Sequence, residues 1–270
     1  MFYISDRTAI TAETIGHSLL AQFEGGPDYK EVTIPYIDTP EKAADVVAQI
    51  DAAAVSDGGM PLVFSTLADP KTRARIIDSR GLVLDLFHVF IEPLAGALEA
   101  EPVITRTRSH RISNLSSYES RIGAIDYSLQ HDDGARTKDY DKADIIMVGV
   151  SRSGKTPTCL YLAMQFGIRA ANYPITEEDL LTSQLPAPIA PHRDRVHGLT
   201  IDAKRLASIR EERRPASRYA SIEQCRAEVR KVESLFKSFH IPFINSTNTS
   251  VEEISTRVVQ TRGLDRHSVV

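Results

Sequence analysis

The chain has 270 residues, of which 42% are hydrophobic and 25% charged, the proportions of a soluble globular protein large enough for two α/β domains. Its net charge of -4 is unevenly divided: residues 1–100 carry 7 Lys/Arg against 15 Asp/Glu, and the remainder carries 25 against 21. Nucleic acid is not an expected partner, because the basic residues of the second part alternate with acidic ones and have no aromatic residues between them.

The cysteine content and the hydropathy of the sequence argue against disulfide-rich, zinc-binding and membrane-spanning proteins. Cys159 and Cys225 are too few for a disulfide scaffold or a four-ligand zinc site, so both are predicted to be core thiols. The most apolar stretch, residues 82–98, contains polar residues and Pro93, which favours a buried helix over a membrane span. Without a visible signal sequence or lipidation motif, we expect a cytoplasmic protein with no membrane partner.

The first hundred residues alternate short apolar runs with helical patterns. Strands are predicted in FYIS, VTIPYI and PLVFST, and helices over residues 12–23 and from Pro40. Right-handed crossovers would join these strands into a doubly wound parallel sheet, with ligands at the carboxyl ends of the strands. Residues 1–100 are therefore predicted to form a Rossmann-like α/β domain.

Residues 101–117 lack periodicity and are predicted to be an exposed connector. A helix is predicted over residues 118–130, followed by the strand DIIMVGV and the helix PTCLYLAMQFG. Later elements are the strand HGLTID, the helices DAKRLASIREERR and SIEQCRAEVRKVESLFKSF, the strand IPFIN and the helix SVEEISTRVV. Residues 118–270 are thus predicted to form a second α/β domain, and no internal repeat is visible.

The sequence GVSRSGKT fits the pattern G-x-x-x-x-G-K-[ST] and lies between a predicted strand and a predicted helix. Its glycines let backbone N–H groups face an anion, Lys155 would neutralise the β-phosphate, and the Thr156 hydroxyl would hold Mg²⁺. Arg152 could clamp a phosphate or point to solvent. The predicted nucleotide-binding residues are Gly149, Val150, Ser151, Arg152, Ser153, Gly154, Lys155 and Thr156. This loop predicts a P-loop kinase-like domain, without distinguishing hydrolysis, phosphate transfer or conformational gating.

Carboxylates near this loop are candidates for catalysis. His131, Asp132 and Asp133 form a turn just before the strand that leads into the loop. One carboxylate could orient an attacking hydroxyl and take its proton while another holds Mg²⁺, although Asp-Asp-Gly is also ordinary turn sequence. Asp202 follows the strand GLTI and could hold Mg²⁺ through water or cap the next helix.

A second candidate site follows the first predicted strand. Ser5, Asp6 and Thr8 lie between this strand and the next helix. Their oxygen atoms could bind phosphate or a metal, or could cap that helix. The sequence alone leaves these alternatives open.

Long stretches of the chain, among them RIGAIDYSLQHDDG, GVSRSGKTPTCLYLAMQFGIRAANYP and IPFINSTNTSVEEI, resemble the pyruvate, phosphate dikinase regulatory family, which includes bacterial regulators of phosphoenolpyruvate synthetase. The resemblance implies a bifunctional enzyme. With ADP as donor, such an enzyme phosphorylates a threonine beside the catalytic histidine of its target and inactivates the target. With inorganic phosphate, it removes that phosphate as pyrophosphate and restores activity.

The resemblance also suggests roles for the candidate residues. Lys155 and Arg152 would stabilise the transferring group, Thr156 would hold Mg²⁺, and Asp132 or Asp133 would position the target hydroxyl. A separate pocket for phosphorolysis would involve the Ser-Asp-Arg-Thr segment at residues 5–8. We expect phosphoenolpyruvate synthetase as the protein partner and a homo-oligomer, with a dimer favoured. Alternatives are the dikinase as target, a P-loop small-molecule kinase, or a non-catalytic nucleotide-sensing module.

Overall fold

The computed structural model describes residues 1–23, 29–102 and 115–264, with no side chains described for residues 115–117. The chain divides into two compact units, Met1–Arg111 and Ile112–Val270. Most of the connector predicted over residues 101–117 lies outside the described residues.

The first unit alternates strands and helices along its whole length. Its elements are β1 (Phe2–Ile4), α1 (Ile10–Leu20), β2 (Val32–Ile34), α2 (Pro40–Asp57), β3 (Leu62–Ser65), α3 (Pro70–Ile77), β4 (Leu82–Asp85) and α4 (His88–Leu98). The strands form a parallel sheet in the order β2-β1-β3-β4. Phe2, Ile4 and Val63 pack on one face of this sheet, and Tyr3 and Phe64 pack on the other. The sheet is therefore covered on both faces, as predicted.

One prediction for this unit is wrong. The stretch over residues 82–98 is not a single buried helix, because its first four residues form β4, which pairs with β3. The carboxylate of Asp85 then accepts a hydrogen bond from the N–H of His88 at 3.0 Å, at the start of α4. None of the residues of α4 is buried. The run of apolar residues concealed a strand-to-helix boundary, so the sheet has four strands rather than the three predicted.

The second unit has the same kind of alternation. Its elements are α5 (Leu115–Gln130), β5 (Ile145–Gly149), α6 (Lys155–Phe166), β6 (Ala170–Pro174), β7 (Val196–Thr200), α7 (Ala203–Arg213), α8 (Ile222–Ser238), β8 (Phe243–Asn245) and α9 (Val251–Arg262). Its strands form a parallel sheet in the order β6-β5-β7-β8. Strand β6 was not predicted. The side chains of β5 alternate between two apolar cores, Ile146 and Val148 in one and Ile145 and Met147 in the other.

The two sheets have the same strand order, second-first-third-fourth in each unit. The sequence showed no repeat, so this correspondence is a finding of the structure. In each sheet the strand order reverses beside the unit's first strand, β1 or β5, and ligands of open parallel sheets bind at such points. Both candidate sites of the sequence lie directly after these two strands. Within the described residues, no helix combines the length and the apolar character needed to cross a membrane.

Candidate phosphate-binding site

The predicted phosphate loop joins the buried strand β5 to helix α6. The N-cap of α6 is Gly154, which has no side chain to occupy the first N–H groups of the helix. Its φ of 95° favours glycine. A Cβ at Gly149 would overlap the carbonyl oxygen of Leu199 on β7 and lie 2.9 Å from the hydroxyl of Ser153. Steric constraints therefore explain why both positions of the motif are glycine. The loop presents N–H groups that suit an anion.

The carbonyl groups of the loop are held by side chains from other elements. The carbonyl of Ser151 accepts a hydrogen bond from Nη2 of Arg210 at 3.2 Å, and the carbonyl of Ser153 accepts one from the hydroxyl of Ser246 at 2.8 Å. Arg210 is only 1% exposed and pairs with Glu228 at 2.7 Å. These hydrogen bonds to the carbonyl groups of Ser151 and Ser153 hold the loop in its conformation.

Lys155 is buried at the first position of α6. Its ammonium group donates a hydrogen bond to the carbonyl of Val150 at 3.1 Å. Burial lowers the pKa of Lys155 to about 8, and the nearby carboxylates of Asp133 and Asp132 partly oppose this shift. The side chain is therefore still mainly protonated at neutral pH, and a phosphate could replace its carbonyl partner.

The structure brings the Asp-Asp turn to the end of the loop. The hydroxyl of Thr156 donates a hydrogen bond to Oδ1 of Asp132 at 2.7 Å, and the same oxygen accepts one from the side-chain amide of Asn172. Asp133 has a left-handed φ of 47°, and its N–H donates to Oδ1 of Asn172 at 3.0 Å. The carboxylate of Asp132 is thus bound to the loop, whereas Asp133 is exposed.

His131 is held away from the loop by other contacts. Its ring is buried, stacks on Tyr127 with centroids 3.9 Å apart, and donates from Nδ1 to the carbonyl of Tyr127 at 2.7 Å. Its Nε2 lies 4.0 Å from a carboxylate oxygen of Asp139. In the described part of the chain, none of the hydrogen bonds of the His131 side chain reaches the loop. A catalytic role for His131 remains a prediction.

Two further site residues have defined positions. Arg152 is exposed and has a left-handed φ of 74°, and its role as a phosphate clamp remains a prediction. Asp202 caps α7, accepting hydrogen bonds from the N–H groups of Lys204 and Arg205 at 2.9 and 3.1 Å. The capping interpretation of Asp202 is confirmed, and its role toward Mg²⁺ remains a prediction.

The oxygen atoms beside the loop suit Mg²⁺. Thr156 and Asp132 supply a hydroxyl and a carboxylate that already lie in contact. No group of three or more His, Cys, Asp or Glu side chains in the described residues could hold a metal ion. Mg²⁺ is commonly bound by one or two protein oxygens together with substrate phosphates and water. The donor set therefore fits a cation that binds with a nucleotide.

The second candidate site is a small cavity after β1. Its volume is about 180 Å³, and its lining includes Ser5, Asp6, Arg7, Thr8 and Thr66. Ser5 and Asp6 are buried, and Oδ2 of Asp6 has no hydrogen-bond partner within the described residues.

The capping interpretation of the second site is wrong. The N-cap of α1 is Ala9, and no side chain among the described residues caps this helix. A second phosphate site formed by Ser5, Asp6 and Thr8 remains a prediction. An anion can bind there only when the negative charge of the buried Asp6 carboxylate is neutralised.

Sequence reasoning missed several residues that shape the site. They are Asn172, Arg210, Tyr219 and Ser246. The sequence does contain an indication that Asn172 belongs to the site, because it is a polar residue inside the short apolar run AANYP that follows the glycine ending α6. The hydroxyl of Tyr219 donates to that of Ser151 at 3.0 Å, but it is 68 residues away along the chain. No local pattern could reveal that contact.

Comparison with known proteins identifies the family. The family described as "Kinase/pyrophosphorylase" matches residues 1–259. The chain is similar to proteins named "Putative phosphoenolpyruvate synthase regulatory protein" from three bacteria. The Marinobacter nauticus protein is 52% identical over 266 residues, and that of Legionella pneumophila (strain Corby) 53% over 266, each match covering 98% of both chains. The Pseudomonas putida (strain W619) protein is 54% identical over 265 residues, 98% of this chain and 97% of the relative. The chain therefore belongs to the kinase/pyrophosphorylase family.

Proposed function

We propose that this protein reversibly phosphorylates phosphoenolpyruvate synthase. In the forward direction, ADP donates its β-phosphoryl group to a threonine of the synthase and inactivates it. In the reverse direction, inorganic phosphate removes that group as pyrophosphate and restores the synthase. The family description and the names of the relatives support this reaction type and this target.

One structural observation carries the proposal: the phosphate loop and the Asp-Asp turn form a single site through the hydrogen bond from Thr156 to Asp132. Phosphoryl transfer needs a cradle for the phosphates, positive charge and a carboxylate that orients the attacking hydroxyl. Lys155 supplies the buried positive charge, and Asp133 supplies an exposed carboxylate on the same turn as Asp132.

We assign the two carboxylates different roles. Asp132, with Thr156, would hold Mg²⁺, which offsets the negative charge of the phosphates when it is bound. Asp133 would accept the proton of the threonine hydroxyl as its oxygen attacks the β-phosphorus of ADP, and AMP would leave. Lys155 and Arg152 would stabilise the charge on the transferring group.

In reversal, an oxygen of inorganic phosphate would attack the phosphorus of phosphothreonine. The new bond completes pyrophosphate, and the threonine oxygen leaves as Asp133 returns its proton. The same loop can serve both directions, because the phosphoryl group of phosphothreonine takes the place of the β-phosphate of ADP and the attacking phosphate takes the place of the α-phosphate. A separate site formed by Ser5, Asp6 and Thr8 is the alternative, with its cavity as the supporting feature.

We also propose that the protein is a homodimer. The support lies in α4, where Val89, Phe90, Leu94 and Leu98 are each more than half exposed. Adjacent exposed apolar side chains of this kind mark interaction surfaces.

The donor and the acceptor can be tested in one experiment. The protein is incubated with purified phosphoenolpyruvate synthase and either β-labelled ADP or γ-labelled ATP, and the label is located on the synthase. We expect label on a threonine with ADP only. Label on a small molecule would indicate a metabolite kinase, and binding without any transfer would indicate a nucleotide sensor.

A Lys155→Ala variant tests the role of the loop. Removing the buried cation should slow ADP-dependent phosphorylation by roughly a hundredfold or more, because the transferring group loses its main positive charge. The matched control is Lys237→Ala at the exposed end of α8, which should behave like the wild type. Phosphorylation at the wild-type rate by Lys155→Ala would refute the assignment.

A further inference from the structure

Asn172 lies in the middle of β6 and is 1% exposed. Its side-chain nitrogen donates a hydrogen bond to Oδ1 of Asp132 and lies 3.4 Å from the hydroxyl of Thr156. Its side-chain oxygen accepts the N–H of Asp133 at 3.0 Å. Both polar ends of one buried amide are therefore used by the two residues of the Asp-Asp turn.

The backbone of Asn172 fixes the same region to the sheet. Its N–H donates to the carbonyl of His131 at 3.1 Å, and its carbonyl accepts the hydroxyl of the buried Tyr140 at 3.0 Å. Strand β6 in turn pairs with β5, the strand that leads into the phosphate loop. These contacts fix the position of the Asp-Asp turn relative to β5, the strand that leads into the phosphate loop.

We propose that Asn172 is a positioning residue for phosphoryl transfer, an inference that rests on the proposed function. It holds the carboxylate of Asp132 against Thr156 and sets the backbone from which the carboxylate of Asp133 extends. A lysine or arginine in this place would neutralise Asp132 and weaken its attraction for a cation. An amide donates a hydrogen bond to Asp132 without placing a positive charge beside it.

The variant Asn172→Asp separates this role from simple packing. The new side chain has nearly the same shape and can still accept the N–H of Asp133, but when ionised it cannot donate to Asp132. At about pH 8 we expect phosphorylation to slow by roughly ten- to a hundredfold, because misplaced catalytic groups lose that much rate. Affinity for ADP without Mg²⁺ should stay within about twofold of the wild type, because the loop itself is intact.

The effect of Mg²⁺ supplies a specific signature. Calorimetry provides a readout besides activity: the gain in ADP affinity on adding Mg²⁺ should be smaller than in the wild type in Asn172→Ala, which removes the donor to Asp132 without adding a charge.

Asn245→Asp is the matched control, since Asn245 lies at the end of another strand of the same sheet and uses its side-chain oxygen only as an acceptor. It should show neither effect. Phosphorylation at the wild-type rate by Asn172→Asp, together with an unchanged effect of Mg²⁺ in Asn172→Ala, would overturn the inference. A wild-type protein that transfers no phosphate to the synthase would instead overturn the proposed function.

A second variant covers the case in which Asn172→Asp does not fold. The exchange Asp132→Asn with Asn172→Asp restores a donor and an acceptor between the two positions, so thermal stability should approach that of the wild type. Transfer should remain slow, because the carboxylate then extends from β6, from a position that lies 3.4 Å rather than 2.7 Å from the hydroxyl of Thr156. Transfer at the wild-type rate by the exchanged protein would contradict the positioning role.

Discussion

At the scale of single residues, we expect Lys155 to make the proposed binding of ADP depend on pH. Burial lowers its pKa to about 8 in the free protein, and a bound diphosphate would raise that pKa because it stabilises the ammonium form. Below pH 8 the group is already charged and affinity should be nearly constant. Above pH 8 binding must take up a proton, so the dissociation constant for ADP should rise by about tenfold per pH unit.

Calorimetry between about pH 7 and 9.5, in two buffers with different ionisation enthalpies, would measure this proton uptake directly. Cys159 should not interfere, because burial raises the pKa of its thiol above this range. A Lys155→Arg variant that still binds ADP should show no such dependence, since arginine stays charged throughout. A wild-type affinity that is constant across the range would contradict the low pKa.

At the scale of elements, the close pairing of β5 with β7 at Gly149 and Leu199 constrains the phosphate loop. In a Gly149→Ala variant the new methyl group would overlap the carbonyl of Leu199, so the strand and the loop must shift. We expect a loss of stability of roughly 1–3 kcal/mol and a large loss of ADP affinity, measured by thermal unfolding and calorimetry.

The matched control is Gly123→Ala in α5, where a Cβ meets no atom within 4 Å. This change should stabilise the helix by roughly 0.5–1 kcal/mol and leave ADP binding intact. Equal ADP affinity in both variants would show that the close approach of β7 does not determine the loop conformation.

Sequence reasoning found the elements whose residue pattern is contained within a few neighbouring positions of the chain. Gly149, Gly154 and Lys155 could be interpreted together because a phosphate loop needs these residue types at fixed spacing. The capping box of α9, formed by Ser250 and Glu253, has an equally local pattern, Ser-x-x-Glu. Strands β4 and β6 were missed for different reasons: β4 lies inside the longer apolar run of residues 82–98, and β6, with the sequence AANYP, contains Asn and Pro, which are depleted in strands.

At the scale of the whole molecule, the α/β class was predictable and the matching strand order of the two units was not. The class follows from alternating apolar runs and helical patterns, which the sequence shows directly. Strand order depends on which edges pair, and the partners Leu62 and Leu82 are far apart in sequence. The same limit applies to the site, because Arg210 reaches Ser151 across 59 residues.

The final prediction concerns assembly. We expect light scattering coupled to size-exclusion chromatography to give twice the chain mass of 29.9 kDa, because a second copy can cover the apolar side chains of α4. Phe90→Glu combined with Leu94→Lys should shift the protein to the monomer without unfolding it, since α4 has no buried residue. Leu181→Glu, at a side chain that is 80% exposed outside α4, is the control and should leave the dimer intact. A wild-type monomer at micromolar concentration, or a dimer unaffected by both α4 substitutions, would exclude this helix as the interface.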